Sequence, residues 1–187
     1  EMRKGDTALK EECRYLVRRP SEVFLAPGEK ASPSDEADAD LSQEELLKQP
    51  VHIEHRPKKD PRDLRVLDPA CGSGHFLLYA FDLLERIYEE ALQDSESPKS
   101  EATGRTLRED FKNIEDLRRA VPKLVIKHNL HGIDIDPRAV QIAALALWLR
   151  AQKTWKTLGL KPAERPRIER SNIVTAEPMP GEEDMRR

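Results

Sequence analysis

The residues with the clearest chemical potential are Asp68-Pro69-Ala70-Cys71-Gly72-Ser73-Gly74. They follow the apolar run Leu64-Arg65-Val66-Leu67, which reads as a short buried strand, and precede a stretch with helical spacing. Small residues let the backbone come close to a ligand, and the following helix N-terminus favours electron-rich groups. Two nucleotide readings fail. A dinucleotide fingerprint needs a glycine three residues after Gly74, where Leu77 stands, and a phosphate loop needs Gly-Lys-Ser/Thr, where His75-Phe76 follow.

What remains is a glycine loop opened by an acid, which repels phosphate and suits a cationic ligand. A second acid, Asp134, closes the next apolar run, Leu130-His131-Gly132-Ile133. An acid at that point accepts hydrogen bonds from ribose hydroxyls. One acid toward a positive centre and one toward a ribose describe S-adenosylmethionine (SAM). The alternative, that both acids only cap the helices after them, leaves their coincidence with a Gly-x-Gly loop unexplained.

The elements that must position these residues follow from periodicity. Leu64 to Asp68 is expected as a strand, and a helix runs from His75 to about Leu92 on Leu77, Phe81, Leu84, Tyr88 and Ala91. Residues 94 to 105 read as a loop. Thr106 and Glu109 form a capping box opening one helix with Leu107, Phe111, Ile114, Leu117 and Val121 inward. A helical turn after Pro122 ends near Asn129, and Leu130 to Ile135 is a second strand. Asp136-Pro137 starts a helix through about Thr154 that is apolar nearly all round and is expected to be sandwiched in the interior. Ile168 to Ser171 is expected as a third strand. Strands alternating with helices predict an α/β fold with a parallel sheet.

The loop and its context resemble a known family. Asp68-Pro-Ala-Cys-Gly-Ser-Gly-His-Phe-Leu is similar to the first motif of adenine-N6 DNA methyltransferases, and His131-Gly-Ile-Asp-Ile-Asp-Pro-Arg-Ala-Val to their second. From Asp63 through Trp155 the chain resembles the large methyltransferases of phage-exclusion systems (BREX, phage growth limitation, PglX-type), relatives of type IIG restriction-modification enzymes. The resemblance implies an incomplete Rossmann-like SAM-dependent methyltransferase fold, with a helical insertion between first and second strands. It also implies that Asp68, Ala70, Cys71, Gly72, Ser73 and Gly74 surround the methionine part of SAM, with His75 and Phe76 at the loop's end. Asp134 would hold the ribose and Ile135 lie against the adenine ring. Asn172 would read the adenine amino group with Ile173 packed beside it. Cys71 would be a small loop residue, neither nucleophile nor ligand.

The departure from that family is as informative. Methylating an exocyclic amine requires Asn/Asp-Pro-Pro-Tyr/Phe, whose oxygens orient the amine while the aromatic ring stacks on the flipped base. No Pro-Pro pair occurs anywhere in the 187 residues. No catalytic residue is therefore assigned. DNA would be a partner only through further parts of a longer enzyme, as would other phage-defence proteins, and the chain alone is expected to be inactive. Two other readings stay open: a methyltransferase for RNA, protein or a small molecule, and a non-catalytic remnant or interaction module.

Composition sets the outer limits. The chain has 37% hydrophobic, 5% aromatic and 36% charged residues and a net charge of -3, so no overall basic field advertises a duplex-binding surface. The longest strongly apolar run, Ala139 to Leu149, is far short of the roughly 20 residues that span a bilayer. Cys13 and Cys71 are too few for a disulfide framework, and a reducing, cytoplasmic location is expected. His52, His55, His128 and His131 show no metal-ligand spacing, and no metal is expected. The absence of an opening Met suggests a piece of something longer. The expected division is a helical segment over 1–27, with a helix around Leu9 to Val17. An acidic linker over 28–62, a SAM-binding half-domain over 63–176 with its insertion at about 94–128, and a tail over 177–187 follow. Gly74 and Asp134 stand 60 positions apart, where a compact fold of this kind uses about 20, and the insertion accounts for the difference.

Overall fold

The structure is a computed structural model, and it describes residues 22–30, 44 and 49–177. The expected helix at Leu9 to Val17, residues 31–43 and 45–48 of the acidic linker, and the tail beyond 177 lie outside the described residues. The chain divides into two compact units, residues 1–58 and 59–187. In the first, β1 (Glu22–Phe24) pairs in parallel with β2 (Val51–Ile53), Val23 opposite His52, and the Leu25 N–H extends the ladder to the Ile53 carbonyl at 3.0 Å. Neither strand was legible in the sequence, because three residues carry too little periodicity to register.

The second unit holds the site. Three parallel strands, β3 (Val66–Asp68), β4 (Leu130–Asp134) and β5 (Asn172–Thr175), lie side by side in that order. Val66 faces Leu130, and Asp134 faces Thr175. The first crossover holds α1 (His75–Gln93), α2 (Leu107–Asp110), α3 (Ile114–Leu124) and a π-helical turn (Val125–Asn129). The second crossover is α4 (Pro137–Thr157). The α/β class with parallel strands is as expected.

The Thr106–Glu109 capping box is present, with the Glu109 N–H on Thr106 Oγ1 at 3.3 Å and the Thr106 N–H on Glu109 Oε2 at 2.6 Å. The single helix expected after it is two. Asn113 accepts the Asp116 N–H on its side chain at 2.8 Å and starts a new helix, since short polar side chains divert the backbone from a continuing ladder. Pro122 lies inside α3, and the chain reaches Asn129 through the π-helical turn.

The core is the layer between sheet and helices. Leu77, Phe81, Leu84 and Tyr88 of α1 pack with Leu117 and Val121 of α3 and with Ala143, Leu147, Ala151 and Trp155 of α4. The insertion is thus part of the core. Trp155 is fully buried and donates its Nε1–H to the Arg119 carbonyl at 2.8 Å. A buried polar knot ties the approach segment to the insertion. Asp60 and Arg62 form a buried ion pair at 2.8 Å, and Arg62 also pairs with Asp110 and donates to the Arg105 carbonyl at 2.6 Å. Burying such a pair is tolerated because nearly every donor finds an acceptor.

Two expectations are corrected. Helix α4 is not sandwiched: its inward stripe is Ala143, Leu147, Ala151 and Trp155, while Ile142, Leu145, Trp148 and Leu149 stay exposed among the described residues. Those exposed apolar side chains make the stretch look apolar all round. The third strand also begins four residues later than expected, at Asn172 instead of Ile168. On the sheet, Val66, Leu130 and Ile173 point into the helix layer, and Leu67 and Val174 on the other face are more than half exposed.

Candidate functional site

The carboxyl ends of β3, β4 and β5 bring together Asp68, the loop 69–74, Asp134 to Asp136 and Thr175 to Glu177. Ligands of open parallel sheets collect at such ends. The loop is tied to β4 at two successive points. The Cys71 N–H donates to the Ile133 carbonyl at 2.9 Å, and the Gly72 N–H donates to Asp134 Oδ2 at 2.8 Å. The Gly74 N–H then closes the turn on the Cys71 carbonyl at 2.8 Å and caps α1.

The glycines are required by geometry. Gly72 has φ +50°, in the left-handed region, and a β-carbon there would meet nothing within 4 Å, so the backbone faces open space above the loop. Gly74, at φ +85°, sets the start of α1 against α4, where a β-carbon would lie 3.1 Å from Ala143 Cβ. Beneath the loop Cys71 is buried. Burial first, then the charges of Asp134 and Asp68, push its thiol pKa up. A thiol held protonated is a poor nucleophile and a poor metal ligand, in keeping with a packing role.

The electrostatics are acidic. The backbone N–H groups of Asp136 and Gly72 hold the Asp134 carboxyl below the usual carboxylate range, the former at 2.9 Å on Oδ1. Asp136 caps α4 through the Arg138 N–H at 2.9 Å, and the Arg138 side chain lowers its pKa too. Asp68 accepts the Ala70 N–H at 3.2 Å, with Ala70 exposed beside it. Ser73 Oγ and His75 Nδ1 are 2.9 Å apart, and Phe76 and Ile135 are exposed apolar side chains at the same end of the sheet. Acids, backbone donors and two apolar surfaces can hold a ligand that is cationic at one end, hydroxylated in the middle and flat at the other.

Asn172 is not brought to this group. It stands opposite His131 at the start of β5, about 10 Å of strand from the Thr175 end. Its side-chain amide donates to the carbonyls of Ile126, Lys127 and Leu130 at 3.3, 3.0 and 3.3 Å. Asn172, the expected adenine reader, thus ties β5 to the π-helical turn and to the start of β4. Ile173 is buried opposite Gly132 and supports the loop from below. The residues of β5 that do reach the site are Thr175, Ala176 and the exposed Glu177, with the Ala176 N–H on the Asp134 carbonyl at 2.8 Å. Sequence reasoning missed them because the strand was placed too early.

Among the described residues no group of three potential metal ligands exists, and no helix is long and apolar enough to cross a membrane.

Comparison with known proteins matches residues 53–168 to the family described as "MmeI, DNA-methyltransferase domain". The adenine-specific methyltransferase BrxX of Escherichia coli O9:H4 is 33% identical over 94 residues, half of this chain. The adenine-specific methyltransferase PglX of Lacticaseibacillus casei is 32% identical over 96 residues (51% of the chain), and its Streptomyces coelicolor counterpart 33% over 89 (48%). In each case the match covers only 6% of the relative's own length.

Proposed function

Given that this chain belongs to the MmeI DNA-methyltransferase domain family, we propose that its glycine loop and Asp134 form the SAM-binding part of an adenine-N6 DNA methyltransferase with a Rossmann-like sheet. The observation that carries this reading is the meeting of two strand-end acids around a loop whose Gly72 backbone faces open space. The residues fit the cofactor's chemistry. Asp68 faces the ammonium end with Ala70 and the 72–74 loop, and His75 and Phe76 close that end. Asp134 keeps a lone pair on each oxygen for the two ribose hydroxyls. Ile135 offers an apolar surface to the adenine, and Glu177 replaces Asn172 as the polar side chain at the strand end. When bound, SAM supplies an activated methyl group on a sulfonium centre.

The parent enzyme would act on adenine in DNA, in the cytoplasm, within a phage-defence or restriction-modification system and alongside its other proteins. This chain by itself binds cofactor and performs no transfer, because no Asn/Asp-Pro-Pro-Tyr/Phe segment is in its sequence. Calorimetry with SAM and S-adenosylhomocysteine on the chain and on Asp134→Ala tests the reading. Saturable binding that the substitution weakens at least about tenfold is expected, equivalent to about 1.4 kcal/mol. A folded chain that binds neither compound overturns it.

A further inference from the structure

We propose that Asp134 is the positioning residue of the glycine loop as well as an acceptor for ligand hydroxyls, so that the two halves of the site behave as one mechanical unit. The inference rests on the reading of this site as a SAM site and adds a coupling to it. Between the Cys71 N–H, bound to the Ile133 carbonyl, and the Gly74 N–H, bound to the Cys71 carbonyl, the loop turns through Gly72 in a left-handed conformation. Nothing packs on Gly72 where a side chain would point. Between those two ties, its N–H is held by Asp134 Oδ2 at 2.8 Å.

The carboxylate is itself aimed. Its Oδ1 accepts the Asp136 N–H at 2.9 Å, and the Asp134 carbonyl is held by the Ala176 N–H at 2.8 Å. One residue thus joins β3's loop and the start of α4 through its side chain, and the end of β5 through its carbonyl. Both carboxylate oxygens face a backbone donor, so an amide at this position, with a single acceptor oxygen, must leave one donor against an NH₂ group. Asp134→Asn can turn to keep either tie, whereas Asp134→Ala removes both.

The test compares S-adenosylhomocysteine, which has both amino-acid and nucleoside ends, with 5′-methylthioadenosine, which lacks the amino-acid end. If Asp134 also positions the loop, Asp134→Ala weakens S-adenosylhomocysteine about tenfold more than methylthioadenosine, because only the former uses the loop's far side. Equal losses for the two compounds overturn the proposal. A second readout is independent of any ligand: amide hydrogen exchange at Gly72. The wild-type chain is expected to protect this amide about tenfold over an unfolded peptide, and Asp134→Ala to remove that protection while Leu130 is unchanged. An unprotected wild-type Gly72 overturns the proposal even if the variant does not fold. If neither compound binds but Gly72 is protected through Asp134, the cofactor reading fails and the loop-positioning role stands.

Discussion

Cys71 seats on Gly132: a β-carbon at Gly132 would lie 3.1 Å from Cys71 Sγ, 3.0 Å from Ile173 Cδ1 and 2.9 Å from Leu77 Cδ1. The missing side chain of one strand residue is the space into which the loop's cysteine, the first turn of α1 and the neighbouring strand pack. Gly132→Ala must push at least one of the three aside. Overpacking of this kind costs about 1–3 kcal/mol. The urea midpoint should fall accordingly, and the Cys71 thiol, buried in the native chain, should react faster with a maleimide. An unchanged midpoint with an unreactive thiol would mean the seat has slack.

Asn172→Ala separates a structural role from a cofactor role. The amide nitrogen serves three backbone carbonyls, those of Ile126, Lys127 and Leu130. Losing these bonds, two of them part-buried, costs about 1–3 kcal/mol in all. Thermal unfolding should show this loss, while SAM affinity measured well below the transition changes much less than in Asp134→Ala. A selective loss of affinity at full stability would restore Asn172 to the cofactor site.

The acid limb of the pH profile follows from Asp134. Its folded-state pKa lies below its unfolded value because the N–H groups of Asp136 and Gly72 bind the ionised form. A depressed carboxyl contributes its stabilisation fully above the unfolded value, about 3.9, and loses it as pH falls through the lower folded value. The Gly72 amide resonance should therefore be flat from neutral pH down to about 4 and move only below that. A midpoint above the ordinary aspartate value would show that the two bonds do not favour the charged form.

Asn129→Ala tests a second buried polar cluster, before the starts of β3 and β4. Asn129 is fully buried, donates to the carbonyls of Pro61 and Leu64 at 2.7 and 2.8 Å, and accepts the Tyr88 hydroxyl at 3.0 Å. Its removal strands three groups and should cost several times the roughly 1 kcal/mol of a single hydrogen bond. Tyr88→Phe alone should cost about 1–2 kcal/mol. In the double variant the losses should fall short of additive by about 0.5–3 kcal/mol, measured in denaturant. Additive losses would mean the two side chains do not share a bond that matters.

Local signals were sufficient wherever the partners lie within a few residues. The Thr106–Glu109 box, the Asp136 cap with Pro137 behind it, and the glycine loop between a strand and a helix are all interactions of neighbours, so residue types alone betray them. Helix α4 shows the limit of that information. Its sequence is apolar nearly all round, and only packing against α1, α3 and the sheet decides that Ala143, Leu147, Ala151 and Trp155 are the buried stripe.

The site divides the same way. Asp68, the loop and Asp134 were legible because short-range chemistry demands small residues and acids at strand ends. The start of β5 was not, because the register of a strand is set by its partner's ladder and not by its own four residues. Asn172 therefore stands at the start of β5 and not beyond its end. Its three carbonyl partners are 42 to 46 residues away in the chain, and the Gly72–Asp134 bond spans 62. Residue types thus pointed to the candidate groups, while contacts across such separations decided which of them meet, since only the folded sheet brings those backbones within hydrogen-bond reach.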